Sequence, residues 1–332
     1  MPLPRLLALF LAATPLFAAP AHDLYLCATA NKDYIVGAKL NTMNGVLLRG
    51  PDDTYEPVGT NFPGIYDLVV DPRDSRVRYM ATLNGVFVTT DGDRTRRVTT
   101  DWSVTEPHGI CLDSHNPDCV YLATPDGIVV STDRGATWAR RETGLPERGK
   151  YTQVVTADRT KAGRVFAGLE KGIFVTDDGA AHWRCVFPTV RTVVDIRQSP
   201  HDPSLWLAAT EGDGLVRSRD GGLTWEKVTT SFPEQPVYNV SFDATNPRRL
   251  VFSSWMNGVC TSEDGGTTWT TRNIGLPADG HVFRVAVDPD TGRLYANVHH
   301  NFIYTSTDFG RTWLKQSLAG AIVYNFVFVP KN

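Results

Sequence analysis

The chain has 332 residues, a formal net charge of −3, 42% hydrophobic and 10% aromatic residues. Phosphate backbones call for a basic face, so this balance argues against a nucleic-acid partner. No apolar run is long enough to span a bilayer.

At the N-terminus, Arg5, the apolar stretch from Leu6 to Phe17 and then Ala19-Pro20-Ala21 read as a secretory signal cleaved before His22. Residues 1–21 are therefore expected to be removed, the protein to be secreted or periplasmic, and residues 22–332 to form a single domain. Cys27 is not read as a lipid acceptor, because Leu24-Tyr25-Leu26 puts no small residue directly before it. Leu24 to Ala28 and Tyr34 to Leu40 both show strand alternation and compete for one place in the fold.

From residue 89 onward an octapeptide recurs. Clear copies are Ser131-Thr-Asp-Arg-Gly-Ala-Thr-Trp138, Ser218-Arg-Asp-Gly-Gly-Leu-Thr-Trp225, Ser262-Glu-Asp-Gly-Gly-Thr-Thr-Trp269 and Ser306-Thr-Asp-Phe-Gly-Arg-Thr-Trp313. Thr176-Asp-Asp-Gly-Ala-Ala-His-Trp183 is worn, Thr89-Thr-Asp-Gly-Asp-Arg-Thr-Arg96 keeps the Asp without the Gly or Trp, and Gly50-Pro-Asp-Asp-Thr-Tyr55 is an eroded further copy. Asp91, Asp133, Asp178, Asp220, Asp264 and Asp308 are 42, 45, 42, 44 and 44 residues apart, a spacing that marks a repeat architecture. Each copy follows a short β-rich run opened by glycine, such as Gly127-Ile-Val-Val130, and precedes another, which places it in a hairpin turn. The Asp is expected to bond the backbone two residues on, the Gly to supply positive φ, and the Trp to fold over its own hairpin.

One unit, from Tyr238 to Arg272, contains four strands, the content of a propeller blade. Innermost strands end near Asp71, Asp113, Asp158, Ser199, Asp243, Asp288 and Val329, which makes seven. The fold class is thus all-β: a seven-bladed β-propeller of four-stranded antiparallel blades, its ring closed by the C-terminal strand around Val323 to Pro330 completing the first blade.

The pattern Ser/Thr-x-Asp-x-Gly-x-Thr-Trp resembles the Asp-box, or BNR, repeat over nearly the whole mature chain. Proteins carrying that repeat include sialidases, xyloglucanase-like glycoside hydrolases, sortilin-type receptors and the photosystem II assembly factor family, so the resemblance implies a fold and leaves the activity open. A sialidase would bring an Arg-Ile-Pro motif and an arginine triad. Arg-Ile-Pro is absent, and no Arg occurs from His22 through Leu48. Xyloglucanase-like enzymes place their cleft between two propellers. The expectation is a monomeric binding or assembly propeller for a peptide, protein or glycan, without a cofactor; the alternative is a glycoside hydrolase using paired carboxylates.

Two sets of connections share one face of such a propeller. Those leading to the next innermost strand carry His108, Tyr151, Arg191, Tyr238, His281 and Tyr324. Those between second and third strands carry Asn84, Asp126, Glu170, Lys171, Glu211, Asp213, Trp255, His299 and His300. Aromatic, acidic and basic groups on one face suit a sugar or peptide ligand, and the ligand-binding face is expected to comprise His108, Arg191, Tyr238, Trp255, His281, His299, His300 and Tyr324 together with Arg284. A deeper layer, Asp67, Gly109, Val154, Asp195, Asn239, Arg284 and Asn325, is expected to line a wet channel. Asp67, Asp195, Glu170 and Glu211 are the catalytic candidates, provided two of them stand at acid/base spacing. His299 and His300 are expected to point to opposite sides of an extended segment, and no metal site is assigned. Cys111 and Cys119 flank the turn at residues 113–117 and are expected to form a disulfide, with Cys185 and Cys260 as buried apolar side chains.

Overall fold

The computed structural model describes residues 21–30, 43–59, 61–232 and 236–331. Residues 1–20, which hold nearly all of the expected secretory signal, and the stretch from Tyr34 to Leu40 lie outside the described residues. Strands group into seven four-stranded sheets, each antiparallel throughout. Six run outward in chain order. The remaining sheet, blade 1, is ordered Ile322–Pro330, His22–Thr29, Asn44–Arg49, Tyr55–Pro57.

The C-terminal strand therefore supplies the innermost position of blade 1, with His22 opposite Pro330 and Thr29 opposite Ile322. Of the two competing N-terminal segments, the earlier one takes the second position. Closing the ring pairs the inner edge of His22–Thr29, which would otherwise stand open.

Second strands such as Val120–Thr124 and Val165–Leu169 are buried along their whole length. Adjacent blades cover both of their faces, so alternation gives way to a continuous apolar run. Outermost strands shrink to exposed pairs such as Ala139–Arg140 and Thr270–Thr271, too short to template pairing with another chain.

The octapeptide is a turn lock between third and fourth strands. Asp133 accepts the Ser131 hydroxyl at 2.7 Å, the Thr137 amide at 2.8 Å and the Thr137 hydroxyl at 2.6 Å, while Ser131 Oγ accepts the Gly135 amide at 2.8 Å. Asp264 and Asp308 repeat the pattern. The carboxylate thus spans to the fourth residue on, not the second. Gly266 adopts φ +82 in the turn, and Ala180 bears φ +70 in the worn copy.

The tryptophans do not close over their own hairpins alone. Trp183 Nε1 donates to the Arg141 carbonyl at 3.0 Å, Trp313 Nε1 to the Arg272 carbonyl at 2.8 Å, and Trp138 Nε1 to Thr99 Oγ1 at 3.2 Å. Each acceptor is the first residue after the outermost strand of the preceding blade, so the indole staples blade to blade. In the sixth copy Arg96 takes this place, donating to the Val58 carbonyl at 2.7 Å and to buried Asp93 at 3.2 Å. Among the described residues the first eroded copy has no equivalent lock; Asp53 instead pairs with Arg293 of blade 7 at 2.6 Å.

The hydroxyl and then the amide of Thr137 hold the Asp133 carboxyl down at about 2, Thr95 does the same for Asp91, and His182 does so for Asp178. A carboxyl depressed in the folded state contributes stability that is present above its unfolded value, near 4, and is lost as pH falls through the folded value. Thermal stability is accordingly expected to hold down to about pH 4 and to drop between about pH 4 and 2. Melting curves across that range check it, and Asp133→Asn should flatten the slope.

The expected Cys111–Cys119 disulfide is not formed. All five cysteines are free thiols. Strand register sets Cys111 opposite Tyr121, so Cys119 lies two residues further along the partner strand, a diagonal of about 7–8 Å that a disulfide does not span. Cys260 is buried as expected, whereas Cys185 lies on an outermost strand and is exposed.

Candidate functional site: an aromatic axial mouth

The innermost strands share an irregularity. Their register shifts between Ile65 and Asp67, Thr152 and Val154, Val193 and Asp195, Val237 and Asn239, and Val282 and Arg284. Each shift is a β-bulge that leaves one residue unpaired and re-aims it. Those residues are Tyr66, Gln153, Val194, Tyr238 and Phe283; in blade 1 the paired residues skip Tyr324 in the same way.

His108 completes the circle at the entry to blade 3. Tyr66 lies 5.1 Å from Tyr324 and 5.3 Å from His108, and Tyr238 lies 5.6 Å from Phe283, between ring centroids. Aromatic or histidine rings thus stand at five of the seven inner positions, with Gln153 and Val194 at the other two, and form a partial collar around the axis.

The connections above it extend the collar into two arcs. In one, the ring of His108 lies 5.4 Å from that of Tyr151, whose hydroxyl stands 3.1 Å from His108 Nε2 and accepts Gln153 Nε2 at 2.6 Å. In the other, Trp255 stacks on His281 at 4.5 Å and 8° and also meets Tyr238 and His299. His299 and His300 do not diverge: their segment is a turn, His300 has φ +54, and their rings meet at 4.2 Å. Burial lowers the pKa of His108, and burial followed by His300 and His281 lowers that of His299, which favours the neutral form of these two rings. Among the described residues no group of His, Cys, Asp or Glu is arranged to hold a metal.

Acidic groups gather at the first arc. Burial raises the Tyr151 phenol, and the charges of Glu211, Glu106 and Glu170 raise it further, so all three carboxylates lie within electrostatic reach of that ring. Glu170 and Glu211 from the sequence reading are therefore on this face, joined by Glu106. Arg191 is exposed and lies over Gly212 beside them, while Asp126 points outward at 81% exposure and Asp213 is tied to Lys227 at 2.6 Å.

Below the collar the polar layer is present, but its members are not merely wetted. Asp67 accepts the Ile110 amide of the next blade at 3.1 Å, Asp195 the Val240 amide at 3.1 Å, and Asn239 the Val285 amide at 2.8 Å. Asp67 also takes Asn325 Nδ2 at 2.6 Å and Asp195 takes Arg197 Nε at 2.8 Å. These side chains staple inner strand to inner strand, each committed to the N–H one residue past the equivalent position. Asp67 and Asp195 sit on blades 2 and 5 with their oxygens already engaged, which removes them from the acid/base candidates.

Arg284 donates to the Tyr324 and Tyr238 carbonyls at 2.8 and 2.9 Å and lies 4.2 Å over Phe283. Burial brings its guanidinium down to about 10, still charged at neutral pH. It braces the collar from beneath and is not on the ligand face. Arg197 enters the bore with 46% of its side chain accessible. Below this layer a channel of about 690 Å³ runs between all seven innermost strands.

The seven blades define a closed β-propeller with aromatic rings gathered on one axial face. Solved structures with this fold include the GH74 enzyme of Niastella koreensis, at 19% identity and a TM-score of 0.68 over 81% of this chain and 50% of that one. They also include YCF48 bound to D1 peptide, at 16% identity and a TM-score of 0.58 over 76% of this chain and 80% of that one. In sequence, the chain is 25% identical over 232 residues to the oligoxyloglucan-reducing end-specific xyloglucanase of Emericella nidulans, matching 61% of this chain and spanning 28% of that protein's length. No protein-family model matches the chain.

Proposed function

We propose that the chain is an exported binding or assembly propeller whose aromatic mouth grips an extended peptide or protein segment. The observation that carries this reading is the collar of Tyr324, Tyr66, His108, Tyr238 and Phe283 with Trp255 above it, over a polar layer whose carboxylates are engaged as staples. Neutral aromatic rings offer large contact area at low entropic cost, and the Glu106, Glu170 and Glu211 side of the mouth favours a segment with basic residues. The peptide carried by YCF48 on the same fold supports the reading. Trp255→Ala or Tyr66→Ala should weaken peptide binding at least about tenfold with little change in melting temperature, as read by titration calorimetry against a peptide library.

A second reading is favoured by the xyloglucanase match and by Glu106, Glu170 and Glu211, whose charges all reach Tyr151: a glycoside hydrolase acting on a glycan laid across the same rings. Turnover of xyloglucan oligosaccharides that disappears in Glu211→Gln would establish it in place of the first.

A further inference from the structure

The channel beneath the collar opens on the face opposite the aromatic mouth. Its walls begin at the layer of Asp67, Asn239 and Asn325 and end at Pro72, Ser114 and Pro200, which are exposed where the innermost strands run out. Tyr66, His108, Tyr238, Phe283 and Tyr324 do not line it, and Arg284 spans the Tyr238 and Tyr324 carbonyls on its mouth side. The channel is thus a second concave site, separate from the mouth.

Along an innermost strand the residue two places beyond the polar layer faces the axis again. Six blades carry short side chains there: Val69, Cys111, Thr156, Ser241, Ala286 and Val327. Blade 5 carries Arg197. The Asp195 staple does not call for it, because Asp67 makes the equivalent bond to its next blade with Val69 two residues on and the neutral Asn325 Nδ2 as partner.

Arg197 engages Asp195 through Nε alone, and its Nη1 and Nη2 donate to no described residue. Neighbouring polar groups are committed: Thr156 Oγ1 donates to the Ile196 carbonyl at 2.8 Å, and Ser241 Oγ accepts the Val287 amide at 3.3 Å. Asp67 and Asp195 face backbone amides of the next blades, burial favours the protonated form of Asp67, and Arg284 adds a second positive charge within electrostatic reach of Arg197.

Toward the strand ends the walls are apolar, with Val70, Leu112, Ala157, Phe242, Val287 and Phe328. An apolar cavity of about 690 Å³ with a few convergent polar groups has the size and make-up of a small-molecule pocket. A guanidinium whose two Nη groups are open matches the two oxygens of a carboxylate.

We propose that the bore is a binding site for a small organic acid with an apolar body, its carboxylate forked on Arg197 Nη1 and Nη2 and its hydrocarbon running toward the exposed strand ends. This site is independent of what the mouth binds, since the two open on opposite faces.

Octanoate and 3-phenylpropanoate, each beside its neutral amide, are titrated into the intact protein and followed by calorimetry and by amide chemical shifts. At least one acid should bind about tenfold or more tightly than its amide, with shifts at Val69, Thr156 and Val327, and Arg197→Gln should reduce that acid to the affinity of its amide. Which acid does so tells an aliphatic body from an aromatic one. The comparison of acid with amide is made in the native protein, so it decides the matter even where the variant fails to fold. Neither acid exceeding its amide in affinity, shifts confined to the mouth around Tyr66 and Trp255, or a preference for the acid that survives Arg197→Gln would each overturn the proposal.

Discussion

A chain ending at Gly320 is expected to lose cooperative folding. Removing Ile322–Pro330 takes the innermost strand from blade 1 and leaves the edge of His22–Thr29 without its partner. Leu24, Leu26 and Ala28 would lose the cover of Val323 and Phe326, with which they form one buried cluster. Three further links go at once: the Asn325 bond to Asp67, the Arg284 bond to the Tyr324 carbonyl, and the contact of Tyr324 with Tyr66. Because a closed ring passes strain to every blade, calorimetry should show the sharp unfolding peak replaced by a broad or absent one, with aggregation on size exclusion. A truncated chain that melted sharply at the temperature of the full chain would show that the closure contributes little.

Trp313→Ala should cost about 3–5 kcal/mol, the range for emptying a buried aromatic site. The ring is 3% exposed, packs with Val251, Leu294, Val298 and Phe309, and stitches blade 7 to blade 6 through the Arg272 carbonyl. Trp225 provides the control: it is only partly buried and donates to Gly222 of its own turn, so Trp225→Ala should cost about half as much. Urea titrations of the two variants side by side decide the matter. Equal losses would mean that staple and burial are irrelevant and that the turn lock alone carries the effect.

Much of this was legible in the sequence because the repeat is chemical as well as periodic. A lock built from Ser, Asp, Gly and Thr at fixed offsets must recur wherever a blade turns, so the blade count and the ring closure follow from counting turns and innermost strands. The shared face was legible for the same reason: topology puts both sets of connections there, and Trp255, His281, His108 and Tyr151 do meet in its arcs.

What the sequence did not show is where alternation breaks. Tyr66 and Phe283 belong to the collar, yet each directly precedes a channel residue and on a regular strand would face the other way. The bulge that turns them inward leaves only one trace, an aromatic or histidine immediately before the polar position in most blades. The engagement of Asp67 and Asp195 is likewise invisible without the neighbouring blade, because their partners are backbone amides that no side-chain pattern reports. The cysteine pairing failed by two residues of register, and Arg96 in the place of a tryptophan hid a staple that geometry preserves.

The central claim, that the aromatic mouth binds and does not cleave, is tested most directly by exposing the purified protein to peptides and to xyloglucan oligosaccharides while following bound ligand and released reducing ends together. Saturable peptide binding that Trp255→Ala weakens at least about tenfold is expected, with no release of reducing ends. Sustained hydrolysis of the glycan, abolished by Glu211→Gln, would contradict it.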